Sequence, residues 1–228
     1  MKGHRIIVTQ DGSHSLFSER FGVTYHSKYG AWLETQHVFV DAGLRFAAVD
    51  RTVISVLEIG FGTGLNCIAS LLHCEARAIK LDYVGIEAFP VPECTLAALS
   101  YADDLAWDDR PRELWTRLCA MPWPSMADLA AARNPPLHIE KRLGRIEALS
   151  ERVRYDVVYY DAFAPESQPE LWTQAQFARV HEALKLGGIL VTYCAKGQVK
   201  RDLRAVGFEV ERLAGPPGKR EMTRATKT

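Results

Sequence analysis

The chain has 228 residues, 47% hydrophobic and 25% charged, enough for one α/β domain with some elaboration and balanced like an ordinary soluble globule. Its formal net charge of +0 excludes a polyanion binder that uses its whole surface, though not a local basic patch. No apolar run approaches the ~20 residues of a membrane span or forms a signal-peptide core, and the five cysteines (Cys67, Cys74, Cys94, Cys119, Cys194) lack zinc-ligand spacing, so reduced thiols in a cytoplasm are expected.

In chain order, residues 5–9 read as a strand, Asp11-Gly12-Ser13 as a turn and residues 16–25 as a returning strand. Tyr25-His26-Ser27-Lys28-Tyr29-Gly30 and an amphipathic segment through Glu34 to Phe39 follow. Either this extension covers an edge of the sheet, or Tyr25 and Glu34 reach the active site. Residues 53–58 are apolar and rich in β-branched side chains, as in a buried parallel strand, and residues 65–72 read as a helix. A second strand spans 81–87 and ends in Glu87. Helices are expected at 92–101 and 112–119, within an insertion that runs to 136, with Trp107, Trp115 and Trp123 as core fillers. Strands at 137–142 and 155–160, a helix from 169 to about 184, a Gly187-Gly188 turn and a strand at 189–194 continue the alternation. A helix at 199–206 precedes two strands, 208–213 and 219–225, joined by Gly215-Pro216-Pro217-Gly218 as a hairpin.

The chemistry starts at Glu58-Ile59-Gly60-Phe61-Gly62-Thr63-Gly64-Leu65-Asn66. Glycine is required where a ligand lies against the main chain. Dinucleotide loops space their glycines G-x-G-x-x-G and bring a pyrophosphate onto a helix N-terminus. Here the loop is E-x-G-x-G-x-G, its carboxylate just before the first Gly a poor neighbour for pyrophosphate and a good one for an amine or sulfonium. That is the pattern of S-adenosyl-L-methionine (SAM) methyltransferases. Glu87, some twenty residues on, is placed to bind ribose hydroxyls, and Phe89 to pack on adenine. Asp161, closing the strand 155–160, is expected across the crevice from the glycine loop, since ligands of open parallel sheets bind beyond the strand carboxyl ends. From Lys196 onward nine Lys and Arg (196, 200, 201, 204, 212, 219, 220, 224, 227) face four Asp and Glu (202, 209, 211, 221). This basic third is either a solvated face or a phosphate footprint.

Taken together, Tyr25-His26-Ser27, Gly30, Glu34-Thr35, the run from Glu58 to Asn66, Asp161-Ala162-Phe163-Ala164-Pro165, Pro169, Trp172-Thr173, Gly187-Gly188 and Gly218-Lys219-Arg220-Glu221 resemble the methyltransferase half of the bifunctional tRNA-modifying MnmC enzymes, and more closely the stand-alone MnmD form. The resemblance implies a Rossmann-like class I SAM-dependent methyltransferase: a seven-stranded, mostly parallel sheet with an antiparallel C-terminal hairpin strand, an N-terminal β/α extension over residues 1–50 and the catalytic domain over 51–228. It implies methyl transfer from SAM to the aminomethyl group of wobble 5-aminomethyl-2-thiouridine in tRNA, without flavin, metal or membrane. A separate flavin- or GTPase-dependent enzyme would make the aminomethyl precursor. Asp161, Phe163 and Pro165 would form the catalytic pocket. Glu58, Gly60, Phe61, Gly62, Thr63, Gly64, Asn66, Glu87, Phe89 and Gly144 would hold the cofactor, and Tyr25, Glu34, Trp172, Lys196, Lys219 and Arg220 the substrate. The family's usual Gly-Asp after the third strand is Gly144-Arg145 here, so adenine would be met by backbone or by an acid such as Glu147. Two alternatives stand beside this reading: a methyl- or aminopropyltransferase for a small amine, like spermidine synthase, and a SAM- or tRNA-binding module without catalysis.

Overall fold

The computed structural model describes residues 3–129 and 135–228; residues 130–134 of the insertion lie outside the described residues. The first strands, β1 (His4–Val8), β2 (His14–Ser18) and β3 (Val23–Thr24), form a small antiparallel sheet. The single strand expected over 16–25 is broken, because Gly22 takes a φ of 70° and its N–H bonds back to Ser18 O at 2.8 Å. The resulting turn projects Arg20 and Phe21 out of the ladder. Helix α1 (Ala31–Glu34) continues as a wider π-wound stretch, Thr35–Arg45, which buries Val38, Phe39 and Leu44 against the main sheet. Gly43 permits that approach: a Cβ there would stand 2.9 Å from Val191.

The main sheet is built from β4 (Val53–Ile59), β5 (Lys80–Glu87), β6 (Ser125–Asp128), β7 (Leu137–Leu143), β8 (Tyr155–Tyr160), β9 (Leu184–Thr192), β10 (Phe208–Ala214) and β11 (Glu221–Lys227). Their order is β10-β11-β9-β8-β4-β5-β7-β6. The five inner strands from β9 to β7 are parallel, and β10, β11 and β6 provide the antiparallel pairings. The sheet therefore has eight strands where seven were expected. The extra one, β6, is four residues long and edge-paired to β7, too short to show an alternation in sequence.

Helices α2 (Leu65–Ala76), α3 (Glu93–Ala97), α4 (Tyr101–Asp104) and α5 (Asp109–Ala120) belong with the π-wound stretch on one face. Helices α6 (Gln174–Ala183) and α7 (Gly197–Ala205) cover the other. The helix expected over 92–101 is thus two short pieces, and the one from 169 begins as a single 3₁₀ turn, Pro169–Leu171. Gly187 and Gly188 lie inside β9, at a register break where Tyr155 pairs with Leu184 but Val157 with Ile189. Strand side chains sort between the faces by alternation: Ile54 and Val56 go to the first core, Leu57 and Ile59 to the second. Trp107 and Trp115 are core residues. No helix among the described residues is long and apolar enough to cross a membrane.

At the end of the sheet opposite the glycine loop, Asp156 is buried and accepts bonds from Ser55 N (2.9 Å), Ser55 Oγ (2.6 Å), Arg51 (2.5 Å) and Lys185 (2.9 Å). Burial alone would raise its pKa, but the bonds from Ser55 and Lys185 hold it below the ordinary carboxylate value. A depressed value means stability that is present above about pH 4 and lost as pH falls through the folded value. Both cations are partly exposed, so the expected cost of Asp156→Asn is only about 1–2 kcal/mol at pH 7. Denaturant midpoints should show this gap closing below pH 4; an equal gap at pH 3 and pH 7 would refute the assignment.

Candidate active site

The strand order reverses at β4, whose neighbours are β5 and β8. Ile59 of β4 pairs with Tyr160 of β8, and Asp161 N–H donates to Ile59 O at 2.9 Å. The glycine turn and Asp161 therefore leave the sheet side by side. Gly60, Gly62 and Gly64 have φ values of 87°, 56° and 84°, a region costly for side chains. A Cβ on Gly60 would lie 2.6 Å from Asp161 O, and one on Gly62 would lie 3.1 Å from the Tyr25 ring. The turn is held down by Glu87, whose carboxylate accepts from Gly62 N (3.1 Å) and Phe89 N (2.8 Å).

A crevice opens above this turn, lined by Gly60 to Thr63, Ile86, Glu87, Phe89, Gly144, Ile146 and Asp161, and roofed by Phe21, Tyr25 and Phe163. The roof is an aromatic cluster: Phe163 lies 4.9 Å from Phe21 and 5.0 Å from Tyr25, centroid to centroid, and Tyr25 OH bonds His4 at 3.0 Å. Arg20 lies 3.7 Å over Phe89, with Arg145 at 5.7 Å. These residues fit SAM: a glycine cradle that any Cβ would fill, a strand-end carboxylate for ribose hydroxyls, and the apolar Ile86 and Ile146 for a base. Glu147 instead accepts from Gln176 Nε2 at 2.9 Å, away from the crevice lining.

Asn66 organises the acids. Its amide donates to Glu58 Oε1 and Asp161 Oδ2, both at 2.8 Å, and accepts from Thr35 Oγ1 at 2.8 Å. Glu58 is fully buried and also accepts from Tyr83 OH at 2.7 Å. Burial, followed by the Asp161 charge, drives its pKa well above the usual value. Glu58, expected to meet the cofactor, is not among the residues that line the crevice. By strand alternation its side chain enters the face under α2, with Ile54 and Val56, and it is linked to the crevice through Asn66. Burial and the charge of Glu34 push Asp161 up to about 7, against the opposing pull of Asn66 and Lys219. His26, at the crevice wall, is pushed down to about 4 by burial and is neutral, its Nδ1 3.1 Å from Ser15 Oγ.

Two other expected contacts fall elsewhere. Trp172 is buried against Tyr160 and Phe177, and its Nε1 donates to Phe163 O at 2.7 Å, so it supports the Asp161–Pro165 loop from beneath. The Phe61 ring packs edge-on against Trp123 at 5.2 Å and over Gly85, leaving mainly its backbone for a ligand. Pro165, Lys196, Lys219 and Arg220 line a second, open groove with Tyr193 and Cys194. There Lys196 pairs with Glu166, and Lys219 with Glu34. Thr35, Tyr83, Phe21, His26 and Tyr193 were not singled out from sequence. Only Thr35 and His26 had a signal, as members of the motifs quoted above.

This fold and site define a class: the Rossmann-like SAM-dependent methyltransferases. A family model described as S-adenosyl-L-methionine-dependent methyltransferase matches residues 129–228. Along nearly its whole length the chain is similar to the methyltransferase part of MnmC. It is 31% identical over 227 residues to the tRNA 5-methylaminomethyl-2-thiouridine biosynthesis bifunctional protein MnmC of Cupriavidus metallidurans, with 95% of this chain and 33% of that protein covered. The chain thus spans about a third of the length of the curated relatives it matches. Among solved structures, MNMC2 from Aquifex aeolicus superposes with a TM-score of 0.80 at 26% identity, over 99% of this chain and 70% of that one. Spermidine synthase from Thermotoga maritima superposes at 0.62 with 14% identity, over 100% and 71%, a likeness of fold alone.

Proposed function

We propose that the chain transfers a methyl group from SAM to the aminomethyl nitrogen of 5-aminomethyl-2-thiouridine at the tRNA wobble position, giving the 5-methylaminomethyl form. The reading rests on one observation: Asp161 borders the glycine crevice, fixed by Asn66, beside a groove carrying Lys196, Lys219 and Arg220. Bound SAM supplies an electrophilic methyl on a sulfonium. Glu87 would hold the ribose, the backbone of Gly60 and Gly62 would cradle the cofactor, and the Phe21, Tyr25 and Phe163 rings would exclude water.

An amine attacks only when neutral. With a pKa near the lysine value of ~10.4, about one molecule in a few thousand is neutral at pH 7, a cost of roughly 4–5 kcal/mol. Asp161 accepts a hydrogen bond from this nitrogen and orients its lone pair; alignment of this kind is worth roughly 7–11 kcal/mol. With its value raised to about 7, the carboxylate is a better proton acceptor than an ordinary aspartate. The uridine leaves its stack to reach the site, with Pro165 against it. A separate flavin- or GTPase-dependent enzyme supplies the aminomethyl precursor, and the setting is cytoplasmic.

Aminopropyl transfer to a polyamine is less well supported, because a polyamine gains nothing from Lys196 and Arg220 in the groove, which suit the phosphates of a nucleic acid. Labelled SAM should methylate tRNA bearing the aminomethyl group and leave unmodified tRNA and polyamines unlabelled. Label on polyamines alone would overturn the proposal.

A further inference from the structure

Lys219 already sits among groups that recognise an alkylammonium ion. Its Nζ donates to Glu34 Oε1 at 2.5 Å and lies 4.0 Å from the Tyr193 ring centroid. Tyr193 is anchored by its hydroxyl, which donates to Ala162 O at 2.7 Å, one residue beyond Asp161. Glu34 is 6% exposed, and its other oxygen accepts from Ser27 N at 2.8 Å. Glu34 and Lys219 are also the two charged residues that act on the Asp161 carboxyl. A carboxylate on one side of an ammonium and an aromatic face on the other is a strong recognition set for that cation.

The geometry points to the position of Lys219 Nζ as an alkylammonium subsite of this enzyme: Lys219 holds it in the free protein, and the substrate's aminomethyl group replaces it between Glu34 and Tyr193 on its way to Asp161. This inference rests on the function proposed above. The tip of a lysine is a primary ammonium on a methylene, the same group that the reaction consumes. Glu34 has no other cationic partner among the described residues, and an unpaired buried carboxylate costs about 3–5 kcal/mol. Lys219 therefore leaves only as another cation enters, and the exchange conserves charge. Its side chain is 32% exposed and borders the open groove with Lys196 and Arg220, where a phosphate of the incoming nucleic acid can receive it. From this subsite the group moves on to Asp161, where one N–H bond breaks and its proton passes to a carboxylate oxygen. The electron pair stays on nitrogen, ready for the methyl carbon.

Propylammonium chloride is the probe, titrated calorimetrically against sodium chloride of equal ionic strength. Lys219→Met, shown to be folded by circular dichroism, is expected to bind propylammonium at least tenfold more tightly than the wild type. Adding Glu34→Gln should abolish that gain. Should the Met variant fail to fold, Lys219→Gln, which keeps a polar tip, carries the same comparison. Equal affinity in wild type and a folded Lys219 variant overturns the inference, as does a gain that survives Glu34→Gln. The two readings fail separately. Ammonium binding as expected without methylation of aminomethyl-bearing tRNA removes the proposed function and leaves the subsite; methylation with no gain in the variant removes the subsite alone.

Discussion

Asp161→Asn is expected to lower methyl transfer by roughly 10²–10⁴-fold while SAM affinity stays within a few-fold of the wild type. The variant keeps the shape of the side chain and can still meet Asn66, but it cannot take a proton or hold charge developing on the amine. The cofactor contacts expected from Gly60, Gly62 and Glu87 are untouched. The pH dependence carries the signature of the group. Burial and Glu34 push Asp161 up to about 7, so wild-type activity rises with pH through that value, while the residual rate of the variant does not follow the same step. Stability runs the other way. A carboxyl raised above its unfolded value of 3.8 stabilises the fold fully below about pH 4, and that contribution is lost as pH rises through about 7. Asp161→Asn should therefore gain on the wild type in melting temperature from pH 5 to pH 8. Single-turnover rates and melting curves across this range decide the matter. A wild-type rate in the variant would remove Asp161 from the chemistry.

Gly60→Ala is expected to be nearly as damaging, through the backbone. The φ of 87° costs an L side chain about 1–2 kcal/mol, and the new methyl would stand 2.6 Å from Asp161 O, a main-chain atom with little room to move. The loop carrying Asp161 must shift, and a misplacement of about 1 Å is worth on the order of 10²-fold in rate. Loss of both SAM affinity and turnover is therefore expected, with stability down by about 2 kcal/mol. Gly12, whose φ is 85° but whose Cβ would meet nothing within 4 Å, is the control: alanine there should cost stability and leave turnover alone. Normal turnover in Gly60→Ala would mean that the turn does not set the position of the acid.

Much of this was legible in the chain. The β-branched run before Gly60, the glycines at alternate positions and the acids closing β5 and β8 each describe a local event, a strand that ends, a turn and a carboxylate at a known height above a sheet. Ligand crevices in parallel sheets occur at that height, so Gly60, Glu87 and Asp161 meet. Trp172 was placed with the substrate residues by the resemblance alone. In three dimensions its ring faces Tyr160 and Phe177, and only its N–H reaches the loop. The turn bearing Arg20 and Phe21 was hidden inside what read as one continuous strand.

By itself the sequence determined the strand–turn–helix core of the cofactor crevice, the class of enzyme, and the acid expected to face the amine, because each depends on residue type and short-range spacing. Tertiary structure decided which carboxylates see the crevice and which are turned from it. Glu58 is the last residue but one of β4 and Asp161 follows β8, but alternation sends Glu58 into the face under α2, and Asn66 bridges the two. It also paired Glu34 with Lys219, 185 residues apart in the chain. No local pattern encodes such a contact, because it exists only once the first helix and the last hairpin have packed on opposite sides of the same pocket.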